Sequence, residues 1–122
     1  MSLLAVQANW DVFSVYVGST ITFSCHVDNS DKILWHFKPP STQVTTVYVN
    51  KRLSGQFTGR HFVNFSIGNA SLTINDVQYC DAGLYECIFP NNENLSKCEF
   101  SLVTIGKYRA FSLTVVSVVS IR

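Results

Sequence analysis

Charge is scarce in this chain: Asp, Glu, Lys and Arg make up 14% of 122 residues, against the roughly one quarter usual for soluble domains. Nine Lys and Arg against eight Asp and Glu leave a formal net charge of +1, and Lys51-Arg52 is the only adjacent basic pair. Nucleic acid and anionic membrane both need a concentrated basic face, so neither is the main partner. Lys51-Arg52 reads as a solvated loop. The six glycines form no Gly-rich turn opening a helix to cradle phosphate, and no Gly-x-Ser-x-Gly elbow is present. The three histidines, His26, His36 and His61, fall on different expected strands and lack the close spacing of metal ligands. They read as surface histidines. Catalysis, a metal site and a cofactor are therefore not expected. A long hydrophobic run is missing too, because Ala110 to Ile121 is apolar for only about a dozen residues against the about twenty that span a bilayer. Met1 to Val6 lacks the basic start and the length of a signal peptide.

What is present is alternation. Asp11 to Val17 carries apolar residues in both phases, with Phe13, Val15 and Val17 the expected core set. After the turn signal Gly18-Ser19, Ile21, Phe23 and Cys25 alternate with Thr20, Thr22 and Ser24, as in a half-buried strand. Asp28-Asn29-Ser30-Asp31 is a polar loop, and Ile33 to Lys38 is a strand with Ile33, Trp35 and Phe37 inward. Pro39-Pro40-Ser41 leads into a strand over Val44 to Val49, which would place Tyr48 outward. Leu72 and Ile74 point inward from a later strand. Gly83, Tyr85 and Cys87 face the core of another, leaving Leu84, Glu86 and Ile88 outside. The chain is long enough for one two-layer domain.

Cys25, Trp35 and the run Asp81-Ala82-Gly83-Leu84-Tyr85-Glu86-Cys87 form one constellation. Two cysteines roughly sixty residues apart, a tryptophan about ten after the first and a tyrosine two before the second match the immunoglobulin sandwich pattern. The chain resembles the variable-type (V-set) immunoglobulin family. The resemblance implies an all-β, two-sheet Greek-key V-type sandwich, with a Cys25–Cys87 disulfide packed on Trp35 and a tyrosine corner at Tyr85. The spacing of Arg60 to Asp81 looks like the family's salt bridge across the bottom of the sandwich. Cys80 and Cys98 have no counterpart in the minimal motif, and read as free thiols or as bonds to another chain.

After Cys87 two placements of the last strand stay open. In one, Pro90 to Asn94 turns into a strand from about Lys97 to Ile105, giving a domain over 8–106. In the other, a long loop precedes a strand from Ala110 to Val118. Residues 107–122 are then this alternative strand, a stalk, or the start of a membrane segment. The first placement is preferred because long structureless loops are uncommon in compact domains.

The expected disulfide implies an oxidising compartment. The sequons at Asn64, Asn69 and Asn94 point the same way, each marking a glycosylation site. An extracellular location follows, as the ectodomain of a membrane protein held by a segment beyond this chain. The V-set family includes antigen-receptor chains, co-receptors and adhesion receptors. The antigen-receptor Phe-Gly-x-Gly bulge is missing after Cys87, and Lys38 stands where their pairing glutamine would be. The expectation is a protein-recognition domain of an immune or adhesion-type cell-surface receptor or co-receptor, with a cell-surface protein as ligand. Leu34, His36, Lys38, Tyr48, Leu84, Glu86 and Ile88 are its candidate contact residues. A homodimer is a second form of partner, and a secreted binding protein for a glycan or small ligand is the alternative function.

Overall fold

The computed structural model describes residues 10–27, 32–40, 43–91 and 93–106. Among these residues nine strands run in chain order: β1 Trp10–Tyr16, β2 Ile21–His26, β3 Leu34–Lys38, β4 Thr45–Val49, β5 Arg52–Leu53, β6 His61–Ser66, β7 Asn69–Ile74, β8 Gly83–Asn91 and β9 Asn94–Ile105. They form a six-stranded sheet in the order β1-β9-β8-β3-β4-β5 and a three-stranded sheet in the order β2-β7-β6. β1 lies parallel to β9, with Phe13 opposite Leu102, and every other pairing is antiparallel.

Among the described residues the last strand is Asn94–Ile105, paired with β8 from Asn94 to Leu102. The alternative strand from Ala110, and the stalk or membrane segment expected at 107–122, lie outside the described residues. The polar loop expected at 28–31 lies outside them as well.

Alternation along each strand builds the core. Phe23 and Cys25 from β2, Ala70, Leu72 and Ile74 from β7, Trp35 and Phe37 from β3, Tyr85 and Cys87 from β8, and Phe100 and Leu102 from β9 all fill the space between the sheets. Phe23 lies at the centre, with ring centroids 5.1 Å from both Tyr85 and Phe100 and 5.3 Å from Phe13. Each such side chain contributes about 1.5–3 kcal/mol by leaving water. Gly83 opens β8 with φ +147°, and a Cβ there would sit 2.6 Å from the Lys38 carbonyl oxygen and 2.8 Å from the Phe37 ring. Only glycine lets β8 start this close to the end of β3. The β4–β5 hairpin turns through Asn50 and Lys51 with φ 54° and 66°. This is the two-residue geometry with positive φ at both positions that suits the strand twist, and Asn is well fitted to it.

Candidate protein-recognition surface

The outer face of the six-stranded sheet is built where β3, β8 and β9 run side by side. The register sets Leu34 opposite Ile88, His36 opposite Glu86 and Lys38 opposite Leu84. On the next strand Ile88 lies opposite Lys97, Glu86 opposite Glu99 and Leu84 opposite Ser101. Two carboxylates directly across a ladder repel each other. Lys97 resolves this, with its Nζ 3.3 Å from Glu86 Oε2 and 3.2 Å from Glu99 Oε2. Its hydrogen bonds to Glu99 and then Glu86 raise the Lys97 pKa above the usual lysine value. His36 Nδ1 lies 4.0 Å from the other oxygen of Glu86. The centre of the face is an ionic cluster of Glu86, Lys97 and Glu99 beside His36, flanked by the half-buried Leu34, Leu84 and Ile88 and the exposed Lys38. Beyond β9, Val12 on β1 is an exposed apolar residue on the same side.

Lys97 and Glu99 were not among the residues singled out from sequence. Their alternation with Cys98 and Phe100 would have placed them on this face once the last strand was fixed at Asn94–Ile105.

Tyr48 does not belong to this face. Strict alternation points it outward, but the β3–β4 register shifts between Trp35 and His36: Trp35 pairs with Tyr48, while His36 pairs with Thr46. The extra residue is Val47, and a bulge of this kind inverts the phase on one side of it. Val47 and Tyr48 are consecutive buried residues, and the Tyr48 ring lies 5.7 Å from Phe65 on the opposite sheet. Burial raises the Tyr48 pKa.

At one end of the sandwich Arg60 grips Asp81 with two bonds, Nη1 to Oδ2 at 2.7 Å and Nη2 to Oδ1 at 3.0 Å. The same Arg60 Nη1 donates to the carbonyl of Asp76 at 3.1 Å, and the Gln78 N–H donates to Asp81 Oδ2 at 2.7 Å. Burial pushes the Asp81 pKa up, but the guanidinium hydrogen bond, the Gln78 N–H and the Arg60 charge outweigh it and hold it below the usual carboxylate value. Four residues on, Tyr85 Oη on β8 donates to the Asp81 carbonyl at 2.6 Å. The buried phenol has its pKa raised, first by desolvation. This assembly fixes where β8 enters the large sheet.

The disulfide differs from the expected pair: Cys25 bonds Cys98, with Cα atoms 6.0 Å apart, and Cys87 is a buried free thiol. The reason lies in the register. Cys87 and Cys98 are directly opposite on β8 and β9, so both side chains point into the core toward β2. Spacing from Cys25 and Trp35 cannot distinguish two cysteines that end on adjacent strands at one level. Cys98 is therefore neither free nor available to another chain. Burial pushes the Cys87 thiol pKa up to about 12, which keeps it protonated and unreactive. Cys80 is free and exposed on the 3-10 turn Tyr79–Asp81.

The histidines separate completely. His26 is exposed on β2 and His36 half-buried on the outer face, whereas His61 is 3% exposed, inside the core. Its ring centroid lies 5.0 Å from Phe57, and neither ring nitrogen has a hydrogen-bond partner in the structure. Desolvation lowers its pKa. Among the described residues no three His, Cys, Asp or Glu side chains are grouped to hold a metal ion. No helix among them is long and apolar enough to cross a membrane. Of the sequon asparagines, Asn64 on β6 and Asn94 on β9 are exposed, and Asn69 on β7 is partly covered.

The sequence model of the Immunoglobulin V-set domain family matches residues 9–104. The chain is also similar to the Ig kappa chain V region XP-1 of Oryctolagus cuniculus, with 27% identity over 73 residues, 58% of this chain and 70% of that protein. The two-sheet architecture, the ion pair beneath the tyrosine corner and a match over well more than half its length together place the chain in the immunoglobulin V-set family.

Proposed function

We propose that this V-set domain is the ectodomain recognition unit of an immune or adhesion-type cell-surface receptor or co-receptor, and that it binds a protein ligand on another cell through the outer face of its six-stranded sheet. The observation that carries this reading is the make-up of that face. An ionic cluster centred on Glu86 and Lys97 is bordered by Leu34, Leu84 and Ile88, a mixture of apolar anchors and fixed charges of the kind found in interface cores. The outer face of the smaller sheet offers no such combination: apart from His26 and Phe62 it carries only Ser, Thr and Asn. Membrane attachment in this reading comes from a segment outside the described residues, and nucleic acid has no role.

The test is binding of a multivalent form of the domain to cells, since contacts of modest area bind weakly one at a time. The double variant Lys38→Glu with Ile88→Arg changes the face without touching the core, and is expected to abolish cell binding. Thr22→Arg, on the other sheet, is expected to leave it intact. Undiminished binding by the double variant removes this face as the contact surface.

A further inference from the structure

Phe62 is an unexplained feature of the smaller sheet. It is 49% exposed at the rim of a face that, His26 apart, is otherwise made of small uncharged side chains such as Thr22, Ser24, Ser71 and Thr73. It sits on β6, one of the two edge strands of the β2-β7-β6 sheet among the described residues. Two residues on is Asn64, also exposed, and two further is the exposed Ser66. Residues at i and i+2 of a strand emerge on one side, about 7 Å apart. Phe62, Asn64 and Ser66 therefore project in a row from one edge strand, and Asn64-Phe65-Ser66 is an acceptor sequon.

We propose that Asn64 carries an N-linked glycan whose first N-acetylglucosamine packs its C–H face on the ring of Phe62, so that aromatic, asparagine and hydroxyl residue act as one built attachment site. In the attachment step the Asn64 amide nitrogen takes C1 of the reducing-end sugar from a lipid-pyrophosphate-linked oligosaccharide. The N–C1 bond forms, the C1–O bond to pyrophosphate breaks with its electron pair, and the amide proton leaves to a base of the transferring enzyme. The sugar's C–H groups carry partial positive charge and meet the negative face of the aromatic ring. They also remove Phe62 from water, and a glycan there stands beside the edge that β6 leaves unpaired among the described residues, where another chain's strand could otherwise add.

The other sequons lack this arrangement. Two residues before Asn69 is Ile67, which is fully exposed on the turn between β6 and β7, so it is not on the strand face of Asn69. Asn94 opens β9 at the hairpin tip, and no aromatic precedes it at the matching position. The glycan on Asn64 points away from the large sheet, leaving the proposed contact face uncovered. The inference does not depend on what that face binds, only on passage through a glycosylating compartment, which a secreting mammalian host supplies.

The experiment uses the secreted chain as wild type, Asn64→Gln, Phe62→Ala and the combined variant. Peptide mapping after enzymatic glycan removal is expected to show Asn64 occupied. The wild type should melt about 4 °C above Asn64→Gln, and should keep that margin when the glycan is trimmed to its first sugar. Phe62→Ala should melt no higher than the combined variant, because the stacking partner is gone. An unoccupied Asn64, or a margin that survives in Phe62→Ala, overturns the proposal. If the alanine variant is not secreted, Phe62→Leu keeps the apolar bulk without the ring face, and its margin over the double variant Phe62→Leu with Asn64→Gln is read in the same way.

Discussion

Removing the Cys87 thiol separates the two ways in which this core could be cross-linked. In the structure Cys25 is bonded to Cys98 across a sequence separation of 73, and Cys87 stands by as a free thiol on the neighbouring strand. Closing a loop of this length stabilises the fold by about 4 kcal/mol in the chain-entropy account. The somewhat shorter loop to Cys87 would give nearly the same figure, because the dependence on length is logarithmic. Stability of the wild type alone therefore says nothing about which bond exists. Cys87→Ala, in contrast, deletes one buried sulfur and keeps the bond, so it should cost only about 1 kcal/mol for the small cavity. That is a fall in Tm of about 4 °C. Removing both Cys87 and Cys98 should cost the full cross-link, about 4 kcal/mol, plus the cavities. The bond itself is read by non-reducing trypsin mapping, because Lys97 lies between the two cysteines and cleavage there puts them on different peptides. The expected linked species joins the peptide ending at Lys32 to the one beginning at Cys98. A link from Cys25 to the peptide holding Cys87 would refute the pairing, as would a loss near 4 kcal/mol in Cys87→Ala.

The remaining predictions concern charge and reactivity. Arg60→Ala leaves a nearly buried Asp81 without its counterion and should cost about 2 kcal/mol in urea unfolding, above the about 0–1 of an exposed pair and below a fully buried one because Arg60 is itself partly solvated; an unchanged midpoint would make the pair incidental. His61 and Asp81 both have folded-state pKa values below their unfolded ones, so the unfolded chain takes up protons first and stability falls as pH drops, from about 6.5 for the histidine and below about 4 for the carboxylate. His61→Phe should flatten the upper part of that pH–stability curve and leave the lower part, and an unaltered curve contradicts the assignment. In the native protein a thiol reagent should label Cys80 at once and Cys87 only after unfolding; rapid labelling of both would mean that the core opens locally.

The strands were legible because one face of nearly every strand is buried, and a period of two is then hard to mistake. Phe23 and Cys25, Trp35 and Phe37, Leu72 and Ile74, and Tyr85 and Cys87 all lie where alternation puts them. Three things were not legible, each for a local reason. Tyr48 turned inward because a single inserted residue at Val47 resets the phase, and bulges carry no compositional mark here. His61 went into the core because it opens β6 on the inward phase beside Phe57, while its polarity suggested the surface. Cys98 took the bond because cross-strand register, which spacing does not encode, set it level with Cys87.

The same register explains why the candidate surface was only half visible from sequence. Leu34, His36 and Lys38 on β3 and Leu84, Glu86 and Ile88 on β8 follow from alternation alone. The cluster they surround, however, is completed by Lys97 and Glu99, whose place depends on where β9 begins. Without β9, Glu86 is a lone carboxylate beside a histidine. With it, Glu86 and Glu99 are held face to face, and Lys97 serves both. Lys97→Met removes the shared cation and leaves two opposed carboxylates on an otherwise intact face. Favourable cross-strand charge pairs contribute about 0.2–1 kcal/mol and like charges directly opposite are destabilising, so the variant, which loses the former and keeps the latter, should lose about 1 kcal/mol at low salt and recover part of it as salt screens the repulsion. Thermal unfolding at low and high ionic strength measures this directly. A loss that is the same at both would mean that Lys97 acts through its aliphatic stem rather than its charge, and that the ionic cluster does not order this face.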